Sequence, residues 1–182
     1  MAAAGHAVFL TNLGFSGLAW GAVGITRLCL PEKSRARVEQ RLAGYGPLAE
    51  QPAGWVAKLV SRIEAYFAGS NVDFSGVPVD LAGVDAFRLD IYAAARRLRF
   101  GEVVTYGELA RRAGHEGMAR ETGAALGANP VPLVVPCHRI VAAGGRIGGF
   151  SAPGGAATKE KMLELEGVRV GPPPSAQSSF GF

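Results

Sequence analysis

Between Thr105 and Pro130 the chain has room for two short helices and nothing longer. Thr105, followed three residues later by Glu108, forms a capping box, which gives the first free N–H groups of a helix their acceptors. That helix, "TYGELARRAG", stops at Gly114, a residue suited to the C′ position. After the turn "HEGM" a second helix, "ARETGAALGA", runs to Asn129-Pro130, and proline cannot continue it. Two short helices joined by a few residues with glycine are the sequence form of a helix-turn-helix, although αα-hairpins of other purpose share it.

Before this pair the pattern is different. Residues 7–30 alternate the β-prone runs "AVFLT", "SGLAW" and "GITRLCL" with Gly14, Gly21 and Gly24, placed where hairpin turns would fall. This predicts a small antiparallel sheet that Pro31 stops. "KSRARVEQRL" reads as a short charged helix and "GYGPLAEQP" as a loop. Trp55, Leu59, Ile63 and Phe67, four apart, make one helical stripe that Gly69 ends, and the stripe reads as core. Residues 70–83 read as an extended connector with strand character. Phe87, Ile91 and Leu98 share a face of a helix that Phe100-Gly101 ends.

After Pro130, "VPLVV" reads as a short buried strand, and a glycine-rich loop over 144–155 leads to a last helix, "TKEKMLELEG". In that helix Met162, Leu163 and Leu165 face inward and Gly167 is the cap. "VGPPPSAQSSFGF" is a Pro/Ser-rich tail. The fold class expected is α+β: a small N-terminal antiparallel sheet with helices, then a mainly helical, winged-helix-like domain. The expected divisions are 1–83, 84–170 and a flexible tail, 171–182.

About half of the residues, 48%, are hydrophobic, enough for a packed core. The net charge of +4 permits a polyanionic partner without establishing one. Arg96, Arg97, Arg99, Arg111, Arg112, Arg120, Arg139 and Arg146 fall in one stretch with few acids between them, either a solvated face or a footprint for nucleic acid. The apolar N-terminal stretch has no Lys or Arg ahead of it and is interrupted by Thr11, Asn12, Gly14 and Ser16, unlike a signal peptide. No uninterrupted apolar run reaches the ~18 residues of a membrane span. The chain reads as cytoplasmic, with no membrane partner.

Two cysteines remain, Cys29 and Cys137, with no CxxC or CxxH spacing to mark a structural zinc site. No metal and no cofactor is expected. Cys137 is followed by His138, and a thiol with a free pKa of about 8.5 needs a proton acceptor to attack at neutral pH. Adjacent side chains diverge, so a bridging water would carry the proton, and Glu160, Glu164 or Glu166 is available to orient the imidazole. A disulfide with Cys29, a nucleophile and plain packing all stay open on these residues alone. Pro132 and Pro136 suit a rigid turn before the cysteine, and the Asn129 amide is placed to tie that turn together.

"NPVPLVVPCHRI" closely resembles the active-site signature of the O6-alkylguanine-DNA alkyltransferases. "FRLDIYAAARRLRFGEVVTYGELA" resembles the segment that opens their C-terminal domain, "ARETGAAL" their recognition helix, and "GGFSAPGG" the loop that closes their alkyl pocket. The early segment "TNLGFSGLAW…GITRLCLP" is similar to their more divergent, ribonuclease-H-like N-terminal domain. The resemblance implies a protein that binds double-stranded DNA through the minor groove, flips the damaged nucleotide, and takes the alkyl group of O6-alkylguanine, and of O4-alkylthymine, onto Cys137 once. It implies a monomer without cofactor. Cys137, His138, Glu166, Asn129 and Tyr106 would form the catalytic set. Arg120 would fill the gap left by the flipped nucleotide, with Ala119, Gly123, Ala124 and Tyr106 against the groove. Ile140, Phe150, Ser151 and Leu126 would line the substrate pocket.

Two positions depart from the family pattern. Phe150 stands where many relatives carry tyrosine, and Thr122 where aliphatic residues are common. Three other readings compete: a lesion-recognition protein without transfer, a cysteine hydrolase, and a DNA-binding regulator that uses only residues 100–128.

Overall fold

A computed structural model describes residues 4–171. The strands Gly5–Thr11 (β1), Gly14–Trp20 (β2) and Ile25–Glu32 (β3) form an antiparallel sheet in the order β1-β2-β3. The helices Arg35–Leu42 (α1) and Gly54–Phe67 (α2) follow, then Ala86–Ala95 (α3), the two-residue strand Val104–Thr105 (β4), Tyr106–Arg112 (α4) and Ala119–Gly127 (α5). The two-residue strand Ile140–Val141 (β5) pairs in parallel with β4, and Gly155–Leu165 (α6) closes the fold. The fold is the α+β class expected from the sequence. Among the described residues no helix is long and apolar enough to cross a membrane. The expected tail lies, past Gly171, outside the described residues.

Both edge strands are paired in part with other segments, one of the ways proteins blunt a sheet edge. On the β1 side, His6 N–H donates to Pro47 O and Ala49 N–H to His6 O. On the β3 side, the connector gives the Ile25↔Val79 bridge, and Leu28 N–H donates to Pro130 O at 3.0 Å. That last bond fixes the sheet against the Asn129-Pro130 turn. α1 packs on the sheet over Val8, Ala19, Val38 and Leu42. Gly17 makes this approach possible: a Cβ there would lie 2.7 Å from both Val38 Cγ1 and Leu42 Cδ1.

One apolar cluster includes Leu18, Trp20, Ile63, Tyr66, Ile91, Leu109, Val131, Val135, Ile140 and Met162. Leu59, Ile63 and Phe67 of the α2 stripe are buried and Trp55 is half-buried. Several expectations need correction. β3 runs through Pro31 to Glu32, because a proline at the end of an edge strand gives up no bond the sheet needs. α3 ends at Ala95 and not at Phe100-Gly101, since the chain turns there and brings Leu98 into the core. Residues 131–135 are not a strand. Val131, Leu133, Val134 and Val135 are buried, but a short apolar run does not distinguish a strand from a buried turn.

Candidate active site

The turn before the cysteine is built by the prolines and one amide. Val135 N–H donates to Val131 O at 3.0 Å, closing a five-residue turn in which Leu133 takes φ +75°. A left-handed leucine is strained and persists only where its surroundings hold it. Asn129 does this from both ends: its Oδ1 accepts from Val131 N–H at 3.0 Å and its Nδ2 donates to Val135 O at 2.9 Å. Pro136, with φ −79° and ψ 66°, is the centre of an inverse γ-turn, so Cys137 N–H also donates to Val135 O, at 2.8 Å. Cys137 therefore opens the short 3₁₀ turn Cys137–Arg139 on a fully braced backbone. Cys137 and Cys29 are both free thiols.

His138 is fully buried beneath it. Its Nε2 lies 2.7 Å from Glu166 Oε1. A carboxylate only accepts, so Nε2 carries the proton and Nδ1 presents its lone pair. Nδ1 has no hydrogen-bond partner among the described residues. Glu166, at the end of α6, is held by four further donors. Tyr66 Oη donates to Oε1 at 2.8 Å, Arg139 Nε to Oε2 at 2.9 Å and Nη2 to Oε1 at 3.0 Å, and Gly101 N–H to Oε2 at 2.8 Å. Burial alone would push this carboxyl up, but the bonds from His138 and Arg139 outweigh it and hold Glu166 at about 2. Burial lowers the His138 pKa against the pull of Glu166, so the imidazole is a neutral base at pH 7. Burial likewise raises the Cys137 thiol, opposed by the Asn129 amide and the Lys159 ammonium. The resting pair is thus a neutral thiol and a neutral imidazole.

Cys137 lines a cavity of about 580 Å³ together with Tyr106, Ala119, Arg120, Gly123, Leu126, Phe150 and Ser151. Here α4 supplies Tyr106 from the turn capped by Thr105 Oγ1, which accepts from Glu108 N–H at 3.2 Å. α5 supplies Arg120, exposed and without an ion-pair partner among the described residues. The loop between β5 and α6 supplies Phe150 and Ser151, and Ser151 Oγ ties it to Gly127 O at 3.0 Å. Gly148 takes φ +76°, and a Cβ there would lie 3.1 Å from Tyr106 Oη. Ile140 stands apart: it is fully buried in β5 and does not line this cavity.

Three residues of the site carry no role in the sequence reading. Tyr66 comes from α2, far away in the chain, and nothing in a helical stripe marks one of its rings as polar in purpose. Arg139 lies inside the "PCHRI" run, where a basic residue reads as surface; it is buried and also donates to Leu98 O at 2.7 Å. Lys159 is fully buried in α6, with Nζ 3.3 Å from Gly149 O, 3.5 Å from Tyr106 Oη, and over the Tyr106 and Phe150 rings. Burial lowers it to about 8. Like Tyr66, it lies on a helix face that reads as packing in the sequence.

The arginine stretch divides by environment. Arg111 and Arg112 share Glu108, and Arg112 also meets Glu102. Arg96 braces the connector at Ser75 O and Val77 O, and Arg139 is internal. Thr122 of α5 faces the core, fully buried, with its hydroxyl unpartnered among the described residues.

Comparison with known proteins decides what this arrangement belongs to. Residues 86–168 match the family model described as 6-O-methylguanine DNA methyltransferase, DNA binding domain. A methylated-DNA–protein-cysteine methyltransferase of Methanothermobacter thermautotrophicus is 33% identical over 154 residues, 85% of this chain and 80% of that protein. The chain belongs to the methylated-DNA–protein-cysteine methyltransferase family. A crystal structure of the Mycobacterium tuberculosis OGT in complex with DNA superposes with a TM-score of 0.70 at 33% identity, over 88% of this chain and 91% of that one. A Thermus thermophilus relative, 39% identical over 132 residues (72% of this chain, 86% of that protein), is called a DNA base-flipping protein. The methyltransferase family therefore spans the sheet as well as the helix-turn-helix half.

Proposed function

We propose that this protein repairs DNA by moving the alkyl group of O6-alkylguanine, and of O4-alkylthymine, onto its own Cys137, once per molecule. It does so as a cytoplasmic monomer of two domains, residues 1–83 and 84–170. The observation that carries the reading is the position of Cys137: it borders the cavity reached from α5 and sits on the turn that buries the His138–Glu166 pair.

In this reading α4 and α5 dock on the minor groove, where Ala119, Gly123 and Ala124 allow close approach. Arg120 enters the duplex and bonds the orphaned base. Flipping costs a few kcal/mol, least for a mispaired or damaged base, which favours lesions. The flipped base enters the cavity of about 580 Å³ between Tyr106 and Phe150. Cys137 Sγ then attacks the carbon bound to O6. The S–C bond forms as the O6–C bond breaks, and the electron pair goes to guanine O6. The thiol proton passes through one water to His138 Nδ1, and Glu166 stabilises the imidazolium that results. Tyr106 donates to the guanine ring as negative charge develops there. Lys159 holds the Tyr106 hydroxyl and adds positive charge. Phe150 stacks without a phenol hydrogen bond of its own. The product is a stable thioether, so the molecule is consumed.

The second reading is lesion recognition without transfer, favoured by the base-flipping relative. A duplex carrying radiolabelled O6-methylguanine separates the two. Transfer predicts label on the wild-type protein, at most one equivalent, and none on Cys137→Ala. Tight binding of the lesion with no label on either protein would establish recognition alone, and label released over many turnovers would establish hydrolysis.

A further inference from the structure

Cys137 also lines a second cavity, of about 320 Å³, whose far wall comes from the N-terminal half: Arg27, Cys29 and Glu32 of β3 and Arg41 of α1. Leu126, Phe150 and Ser151 border both cavities. A methyl group is about the size of a water, which fills ~30 Å³ in the liquid. The second cavity is about ten times that and within the ~300–1,000 Å³ range of small-molecule sites. Methyl transfer leaves it unused.

Its wall is held in register and is charged. The Leu28 N–H bond to Pro130 O fixes β3 against the turn that carries Cys137. Arg27 uses Nε on Tyr45 Oη at 2.7 Å, and Arg41 Nε meets Glu32 Oε1 at 3.5 Å. The terminal nitrogens of both guanidinium groups have no hydrogen-bond partner among the described residues. Glu32 is the counter-charge, its side chain only 9% exposed. Two guanidinium groups against one carboxylate leave the wall net positive and rich in unspent N–H donors. Cys29 is half-buried, and burial raises its thiol, so it forms a neutral, small stretch of wall.

We infer that this cavity receives the far end of O6-alkyl groups longer than methyl, and that the β3–α1 wall favours chains ending in a carboxylate or another hydrogen-bond acceptor. The N-terminal sheet then sets substrate range, while the C-terminal half does the chemistry. The assignment rests on the transfer reading above. The reacting bonds are unchanged: Cys137 Sγ takes the O6-bound carbon, and the chain beyond that carbon lies along the cavity towards Cys29 and Arg27.

The test uses the full-length protein and three duplexes, each with a single O6-methyl-, O6-butyl- or O6-(3-carboxypropyl)guanine, and reads single-turnover transfer rates. In the wild type the carboxypropyl chain is expected to transfer faster than butyl. Cys29→Phe narrows the cavity. It should leave methyl transfer within about twofold and slow both longer chains at least about tenfold, as expected when a pocket loses room for several methylenes. Arg27→Leu, at an exposed position where the guanidinium lies over the Tyr45 ring, should reduce the carboxypropyl-to-butyl rate ratio about fivefold, in line with one partly exposed charge contact. Equal slowing of all three duplexes by Cys29→Phe, or no slowing of any, would overturn the assignment, as would an unchanged ratio in Arg27→Leu. If the wild type fails even on the methyl duplex, the transfer reading falls and this one with it; normal methyl transfer with the pattern above absent removes this one alone.

Discussion

Tyr66→Phe removes one oxygen atom and asks how far a residue of the N-terminal half supports the acceptor centre. The hydroxyl donates to Glu166 Oε1 at 2.8 Å and stands 3.2 Å from His138 Nε2. The ring keeps its edge-on contacts to Phe67, Phe74 and Phe100, with centroids 5.1, 5.9 and 6.2 Å away. Packing is therefore unchanged. Oε1 retains His138 and Arg139, so no buried acceptor is left bare. What is lost is one hydrogen bond to a charged group, worth about 1.5–3 kcal/mol. That is a sizeable share of a total stability of about 5–15 kcal/mol. Urea unfolding should show this loss. Single-turnover transfer should fall by no more than about tenfold, because the His138–Glu166 pair survives. A stability change under about 0.5 kcal/mol would show that the hydroxyl is not spent on the carboxylate. Transfer as completely lost as in Cys137→Ala would place the phenol in the chemistry and refute its supporting role.

Glu166→Gln puts an amide donor among the donors of His138, Arg139, Tyr66 and Gly101 and strips buried Arg139 of its counter-charge. It should cost about 3–5 kcal/mol in urea unfolding and slow transfer more than Tyr66→Phe does. Arg120→Ala should slow transfer from duplex DNA far more than transfer from the free base O6-benzylguanine; equal slowing would remove Arg120 from flipping. Thr122→Val replaces an unpartnered buried hydroxyl with a methyl and should raise stability by about 1 kcal/mol, read as a higher urea midpoint, with transfer unchanged. Stability should also fall with acid. Glu166 is held at about 2 against an ordinary 4.5, so its ionised form favours the fold, and its contribution is complete above pH 4.5 and lost as pH falls towards 2. The loss is on the order of 3 kcal/mol. His138, lowered from 6.5, adds loss of the same sign below that pH. Urea midpoints followed from neutral pH downwards measure both, and Glu166→Gln should flatten the lower part of the curve.

The sequence is most informative where local chemistry is decisive. The Thr105 cap and Gly114, which takes φ +85°, delimit α4 because both act within one helical turn. The three strands follow from alternation and glycine. Asn129 is legible as a turn-maker because asparagine bonds backbone two residues on, and Val131 N–H is indeed its partner. The conformation of 131–135 is not legible. Its apolar side chains give the burial correctly, but a left-handed Leu133 is imposed by tertiary packing and by the two bonds of Asn129. Tyr66 and Lys159 are hidden for a related reason. Each sits on a helix whose inward face reads as packing, and their polar atoms meet site residues distant in the chain: Tyr66 meets His138 and Glu166, 72 and 100 residues away, and Lys159 meets Tyr106, 53 residues away. Arg139 is masked because a buried arginine is rare without a partner, and its partner, Glu166, lies 27 residues on.

Intact-mass spectrometry of the protein titrated with duplex O6-methylguanine reads the transfer onto the protein itself. The mass should rise by one methylene per molecule, the gain should stop at one equivalent however much lesion is added, and peptide mapping should place it on Cys137. Demethylated DNA accumulating beyond one equivalent, a gain placed on Cys29, or guanine restored with no mass gained by the protein would contradict single transfer to Cys137.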